Sequence, residues 1–322
     1  RRGAGPAPAA GAARGAVTPR RLLVIKLGAL GDFVQATGPF AAIRARFPAA
    51  HVTLLTSPPF AALARGAPWF DAVWVDDKPR LWQVGRCLDL RRRLRQGGFD
   101  RVYDLQTSDR SAWYFRLMGG RVEWSGIARG CSHPHANPDR DAMHTIERQR
   151  EQLAMADVPD VPPPDVAWLD APVDRFGLVA PFALLCPGGA AHRPGKRWPV
   201  DRFAALAGRL AARGVTPVLL GSGPEAAETA RIAAVCPSAR DLAGQTTLPD
   251  LAALGRRAWG AVGNDTGPMH LIAATGCPSV VLFSHESDPA LCAPRGRVTV
   301  LRRERLDDLA VADVDLALPD AP

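Results

Sequence analysis

LLVIKLGALGDFVQATGPFAAIRARF runs from Leu22 to Phe47 and decides the reading of the whole chain. Its first six residues, Leu22–Leu27, form an apolar run of strand length, the signature of a strand buried on both faces. Gly28 and Gly31 then shape a loop in which backbone can pass where a side chain would block it. Asp32 opens a helical pattern that carries Phe33, Phe40, Ile43 and Phe47 on one side. A buried strand, a glycine loop and a helix make the first half of a βαβ unit.

The same alternation continues outward. Strands are expected at His51–Thr56, Ala72–Asp76 and Arg101–Leu105, and helices at Asp32–Phe47, Pro59–Arg65, Arg86–Gln96 and Asp141–Ala156. Val158–Asp165 reads VPDVPPPD, and its prolines block helix and central strand alike. Beyond it the order restarts, with strands at Phe182–Cys186, Pro217–Leu220, Trp259–Val262, Val280–Phe283 and Val298–Leu301. Helices fall at Val200–Arg213 and Pro224–Val235. Two α/β halves are expected, each with a parallel sheet: 21–157, then a Pro-rich linker 158–175, then 176–322. Ligands of such sheets bind beyond the carboxyl ends of the strands, here in a cleft between the halves.

Composition narrows the function. The 322 residues are 47% hydrophobic and 22% charged, and no apolar run is long enough to span a bilayer. Arg1–Pro19 is rich in Ala, Gly, Pro and Arg and lacks the apolar core of a secretory signal, so 1–20 reads as a disordered basic tail on a cytoplasmic protein. The net charge is +8, of which Arg1, Arg2, Arg14, Arg20 and Arg21 supply five, leaving +3. That is too mild to argue for nucleic acid. A cluster at Arg86, Arg91, Arg92, Arg93 and Arg95 reads as a solvated helix face or as a surface for an anionic acceptor or membrane leaflet. The six cysteines form no C-x-x-C pair, and Cys131, His133, His135 and His144 lack zinc spacing, so no metal site is assigned.

Three segments carry chemistry. KLGALGD (Lys26–Asp32) puts a carboxylate at the carboxyl edge of the sheet, facing the cleft or serving as a plain helix cap. CPGGAAHRPGKRWP (Cys186–Pro199) offers the backbone of Gly188 and Gly189 with the cations Lys196 and Arg197, which suits a phosphate; an exposed basic loop is the plain alternative. GNDTGPMH (Gly263–His270) leads from a strand into a helix start, where Thr266 and Gly267 can hold a diphosphate, or where Asp265 or Thr266 simply caps.

Taken in order, these segments resemble glycosyltransferase family 9, whose best-known members are the ADP-heptose:lipopolysaccharide heptosyltransferases. The match runs from about Leu22 to Arg295. The resemblance implies a GT-B fold of two Rossmann-like domains and an inverting transfer without a covalent sugar–enzyme intermediate. It implies Asp32 as the base on the acceptor hydroxyl and Lys196, with Arg197 and the Gly188–Gly189 backbone, on the donor diphosphate. Asp265, Thr266, Gly267 and His270 would line the donor site, Glu225 would contact the ribose and Thr246 the nucleobase. HTIER (His144–Arg148) resembles an H-x-x-E-R helix, so Gly31, His144 and Arg148 are expected on the acceptor side.

The partners implied are a nucleotide-diphospho-sugar donor, a lipid-linked glycan acceptor and a possible peripheral contact with an anionic membrane. No metal is required, with stimulation by a divalent cation left open. Ala190 and Ala191 replace hydroxyl side chains common in the family, and FSHESDP (Phe283–Pro289) replaces F-G-P-T-D-P. Two other readings stand beside it: a nucleotide-sugar epimerase, which shares the architecture, and, from a different class, a non-catalytic nucleotide-sugar-binding or assembly protein.

Overall fold

A computed structural model describes residues 19–320. The expected tail therefore lies outside the described residues, apart from 19 and 20. There the Arg20 backbone N–H already donates to Asp100 (2.7 Å).

The N-terminal half contains β1 (Arg21–Ile25), β2 (His51–Thr56), β3 (Ala72–Val75), β4 (Arg101–Asp104), β5 (Glu123–Gly126) and β6 (His133–Pro134). Its helices are α1 (Leu30–Gln35), α2 (Thr37–Arg46), α3 (Pro58–Arg65), α4 (Val84–Gln96), α5 (Asp109–Met118) and α6 (Thr145–Ala154). The C-terminal half contains β7 (Phe182–Cys186), β8 (Thr216–Leu219), β9 (Arg240–Asp241), β10 (Gly260–Asn264), β11 (Ser279–Phe283) and β12 (Val298–Arg302). Its helices are α7 (Val200–Ala212), α8 (Ala226–Val235), α9 (Leu248–Arg257), α10 (Gly267–Ala274), α11 (Pro289–Cys292) and α12 (Val311–Leu316).

Both sheets have six strands and are parallel throughout. The orders are β3-β2-β1-β4-β5-β6 and β12-β11-β10-β7-β8-β9. Each order reverses once, between β1 and β4 in the first sheet and between β7 and β10 in the second. Where crossovers leave in opposite directions a crevice opens at the carboxyl edge. The segment Lys26–Asp32 follows β1, and Cys186–Pro199 and Gly263–His270 follow β7 and β10. All three sequence motifs thus stand at the two switch points, in the expected GT-B arrangement.

The expected helix Asp32–Phe47 is two helices. The first starts earlier, at Leu30, and ends at Gln35; the second starts at Thr37. Pro39 explains the break, since it has no N–H to donate to the Gln35 carbonyl and its ring crowds that turn. The expected helix Asp141–Ala156 is likewise divided. A 3-10 turn spans Arg140–Ala142, and α6 begins after His144, whose ring accepts from the Ile146 N–H (3.2 Å) as an N-cap. Between 106 and 140 the sequence reading assigns nothing, yet α5 and β5 lie there. The α5 cap is Ser108, answered by Ser111 rather than by the Glu or Gln of a standard capping box.

The Pro-rich stretch joins both halves. At its start the Asp165 N–H donates to Thr37 Oγ1 (3.0 Å), and further on Asp170 and Asp174 pair with Arg256 (2.8 Å) and Arg257 (2.6 Å) of α9, with Val166, Leu169 and Val173 buried. At the crossing, a Cβ added to Gly38 would lie 2.2 Å from the Pro162 carbonyl oxygen. Gly38→Ala should therefore destabilise the protein by about 1–3 kcal/mol through overpacking, although alanine ordinarily favours a helix by about 1 kcal/mol. Thermal and urea unfolding measure it; an equal or higher midpoint would show that the linker does not clamp α2.

Candidate functional site

Two helix starts meet between the halves. A Cβ on Gly267, the first residue of α10, would lie 2.6 Å from Leu30 Cβ, at the start of α1. A Cβ on Gly31 would lie 2.7 Å from His270 Cδ2. Only glycine at both positions lets the helices approach this closely. Asp32, at the third position of α1, is thereby held within a turn of the segment Asp265–Gly267.

Asp32 is half-buried, and one oxygen accepts from the Ala29 N–H (3.2 Å). Ala29 offers no side-chain oxygen in return, so α1 is capped from within by Asp32. The loop before it requires Gly28, whose φ is +120° and whose Cβ would fall 2.4 Å from the Phe60 ring. Below lies Lys26, buried, with Nζ donating to the Leu105 carbonyl (3.1 Å). Burial lowers its pKa, Asp32 and Asp104 raise it, and Arg148 lowers it. Burial pushes Asp104 up to about 6 despite N–H donors from Gln106 and Thr107.

In the C-terminal half a cavity of about 610 Å³ opens at the β7/β10 switch point. Gly188, Gly189, Lys196, Glu225, Thr246, Asp265, Thr266 and Gly267 all line it. Arg197 and His270 stand outside this lining. Arg197 turns behind the loop, pairs with Glu228 (2.5 Å) and donates to the Gly189 carbonyl. His270 is buried between the halves, with Gln35 Nε2 3.4 Å from its Nδ1 and Asp265 3.8 Å from its Nε2.

The loop that leaves β7 at the cavity is held by one side chain absent from the sequence expectations, Asn264. It is fully buried, accepts from the Trp198 N–H (2.9 Å) and donates to the carbonyls of Pro187 (2.7 Å) and Gly188 (3.0 Å). Every buried polar atom of the amide is satisfied, so both ends of the loop between β7 and α7 are fixed to the end of β10. The signal was its place at the head of N-D-T-G, at the carboxyl end of a buried strand.

Asp265 is the electrostatic centre. Lys196 Nζ lies 2.7 Å from its carboxylate, and Ser287 Oγ donates at 2.8 Å. Burial would raise the Asp265 pKa; His270, Lys196 and Ser287 outweigh it and bring it down to about 2. An ammonium has three donors, so Lys196 keeps two for a ligand. Thr266 occupies the cap position of α10, but its hydroxyl makes no capping bond. Pro268 carries no N–H, so Thr266 and Gly267 supply the donors at this helix start, and neither N–H has a partner among the described residues.

Glu225 leans over Gly188 and accepts from the backbone N–H of Ser222 (2.7 Å) and its hydroxyl (2.8 Å). In the divergent FSHESDP segment, His285 turns outward to the Glu304 carbonyl (2.8 Å), while Glu286 packs on Gly195 and Ser287 reaches Asp265.

The acceptor-side residues occupy different environments. Gly31 is the contact between helices described above. His144 ties the halves together, its Nε2 donating to the Ala293 carbonyl (2.9 Å), and burial lowers its pKa. Arg148 is half-buried and has no carboxylate partner among the described residues. Burial and Arg140 lower its pKa, while Asp141 and Asp32 raise it. Cys131, His133 and His135 do not converge, and no cluster of three metal-type side chains occurs among the described residues.

The model of glycosyltransferase family 9 (heptosyltransferase) matches residues 87–306. The chain belongs to glycosyltransferase family 9. As a family 9 glycosyltransferase it is 28% identical over 293 residues to lipopolysaccharide heptosyltransferase 2 of Salmonella typhimurium, covering 83% of each chain. It is also 28% identical over 304 residues to lipopolysaccharide heptosyltransferase 1 of Pseudomonas aeruginosa, covering 87% of this chain and 82% of that one. The solved structure of E. coli ADP-heptose lps heptosyltransferase II superposes with a TM-score of 0.76 at 24% identity, over 92% of this chain and 97% of that one.

The Lys196–Asp265 pair gives this glycosyltransferase a separable test. Lys196→Ala leaves a buried carboxylate short of its cation and should cost about 3 kcal/mol of stability. Adding Asp265→Asn should restore most of it while nucleotide-diphosphate binding stays weak. If the double variant regains tight diphosphate binding in calorimetry, Lys196 serves the fold and not the ligand. The pH dependence has a definite sign. The lowered Asp265 pKa contributes stability above about pH 4, lost as pH falls towards 2.

Proposed function

We propose that this glycosyltransferase moves heptose from ADP-heptose to a lipid-linked core glycan of lipopolysaccharide, with inversion at the anomeric carbon. The observation that carries the reading is the meeting of α1 and α10 through Gly31 and Gly267. It sets a half-exposed carboxylate, Asp32, beside a cavity whose mouth is held by Lys196 and Asp265. The names of the relatives support the donor and acceptor classes.

In this reading the nucleoside lies towards Thr246, with its ribose at Glu225. The diphosphate lies on Lys196, the Gly188–Gly189 backbone and the unpartnered N–H groups of Thr266 and Gly267. Asp265 does not touch the phosphates; it holds Lys196 and faces the sugar. Asp32 takes the proton of the acceptor hydroxyl as its oxygen attacks the anomeric carbon. The bond to the diphosphate breaks on the opposite face, and the charge that develops there meets an ammonium and two N–H donors already in place. These groups suffice without a metal. Arg148, a cation free of carboxylate partners near Asp32, suits an acidic group on the acceptor. Arg197 then acts behind the loop, and His270 and His144 act between the halves.

No helix among the described residues is long and apolar enough to cross a membrane. The reading places the enzyme at the inner face of the cytoplasmic membrane, where it meets its lipid-linked acceptor peripherally.

Asp32→Asn retains an oxygen that can accept from the Ala29 N–H but cannot take a proton. The transfer rate should fall by about 10²–10⁴ with ADP affinity unchanged. Single-turnover kinetics and calorimetry check both parts; turnover within a few-fold of the parent would remove Asp32 from the role of base.

A further inference from the structure

Large apolar side chains stand in solvent on one part of the N-terminal half. Leu81 and Trp82 are each 72% exposed, Val84 61% and Leu88 54%. Among the described residues only four other large apolar side chains are comparably exposed, and those are scattered at Met155, Val179, Val235 and Leu316. Exposed apolar side chains gathered within eight consecutive positions mark a contact surface.

The geometry of α4 extends that surface. At 100° per residue, Val84, Leu88 and Arg91 share its outward face, while Leu90 and Leu94 are buried. The helix is apolar where it begins and basic where it ends. From Asp77 to Arg95 there are seven cations against two acids. Both acids are already paired, Asp77 with Arg86 (3.2 Å) and Asp89 with Arg92. Arg93 turns inward over the Trp74 ring (4.5 Å) and donates to the Val75 carbonyl (3.0 Å). Arg95 bonds the Leu117 carbonyl (2.9 Å). Arg91 has no partner among the described residues, and Arg80 lies 5.0 Å over the Trp82 ring. The arginine cluster of the sequence is therefore not one face: two members are structural and Arg91 faces out beside the apolar residues.

The position is as telling as the chemistry. This loop follows β3 and Asp32 follows β1, and the strands run parallel two places apart in the sheet. The patch and the base thus share one sheet edge, the strands about 10 Å apart. Apolar tips framed by guanidinium groups, with a tryptophan among them, match the boundary between anionic headgroups and acyl chains.

We propose that Lys78–Gln83 and the outward face of α4 dock the enzyme on an anionic lipid bilayer, turning the Asp32 edge towards an acceptor anchored in it. The purpose of docking rests on the lipid-linked acceptor of the proposed function; the docking itself does not.

The test is sedimentation of the full chain with phosphatidylcholine vesicles, with and without phosphatidylglycerol, at low and physiological salt. The parent should bind the phosphatidylglycerol vesicles, less so as salt rises. Trp82→Ser with Leu88→Ser should weaken binding at least tenfold. Arg91→Gln should weaken it about fivefold at low salt. Each variant should keep the parent's ADP affinity and its transfer to a delipidated, water-soluble acceptor. Equal vesicle binding by parent and variants, or no preference for phosphatidylglycerol, overturns the proposal. So does an equal loss of transfer to soluble and bilayer acceptors, which would mean that the patch grips sugar. Failure of the parent itself on the soluble acceptor would instead count against the proposed function.

Discussion

Two short helices begin against each other with no side chain between their starts, and the site depends on that contact. Gly31 and Gly267 allow it, since a Cβ at either would collide with the opposite half. The contact brings the edge after β1 to the edge after β10, and with it the carboxylate of Asp32 to the loop of Asp265. Gln35, His270, His144 and the Ala293 carbonyl surround the contact with polar links between the halves. A side chain at either glycine would part the base from the donor cavity without changing either sheet.

Within the C-terminal half the hierarchy is electrostatic. Asn264 ties both ends of the loop after β7 to the end of a buried strand, so backbone donors are placed before any ligand arrives. Asp265 is buried enough that its charge would be costly alone, and Lys196, Ser287 and His270 compensate for it. The same ammonium is thereby fixed at the cavity mouth. Preorganised charge of this kind acts on a leaving diphosphate without reorganising during the reaction.

Much of this was legible in the sequence because parallel strands are continuous apolar runs and switch-point loops are glycine-rich. The strand at Phe182–Cys186 falls at its expected bounds. What escaped was context. Pro39 looks tolerable in a helix-periodic run until its missing N–H falls opposite Gln35. His144 reads as part of a helix because histidine is an uncommon cap. The arginines Arg91–Arg93 look alike in one dimension but fan out by 100° per residue, so one meets solvent and another covers Trp74. The role of Asn264 needs the third dimension, since its partners lie 66 to 77 positions away.

The proposed reaction is a single displacement, with Asp32 on the acceptor side and the diphosphate leaving on the other. The anomeric configuration of the product, read by nuclear magnetic resonance after incubation with ADP-heptose and acceptor, tests it most directly. A single displacement gives a new glycosidic bond of configuration opposite to the donor's. Retention of the donor's configuration would contradict it, because it requires a second displacement that a single carboxylate acting as base does not provide.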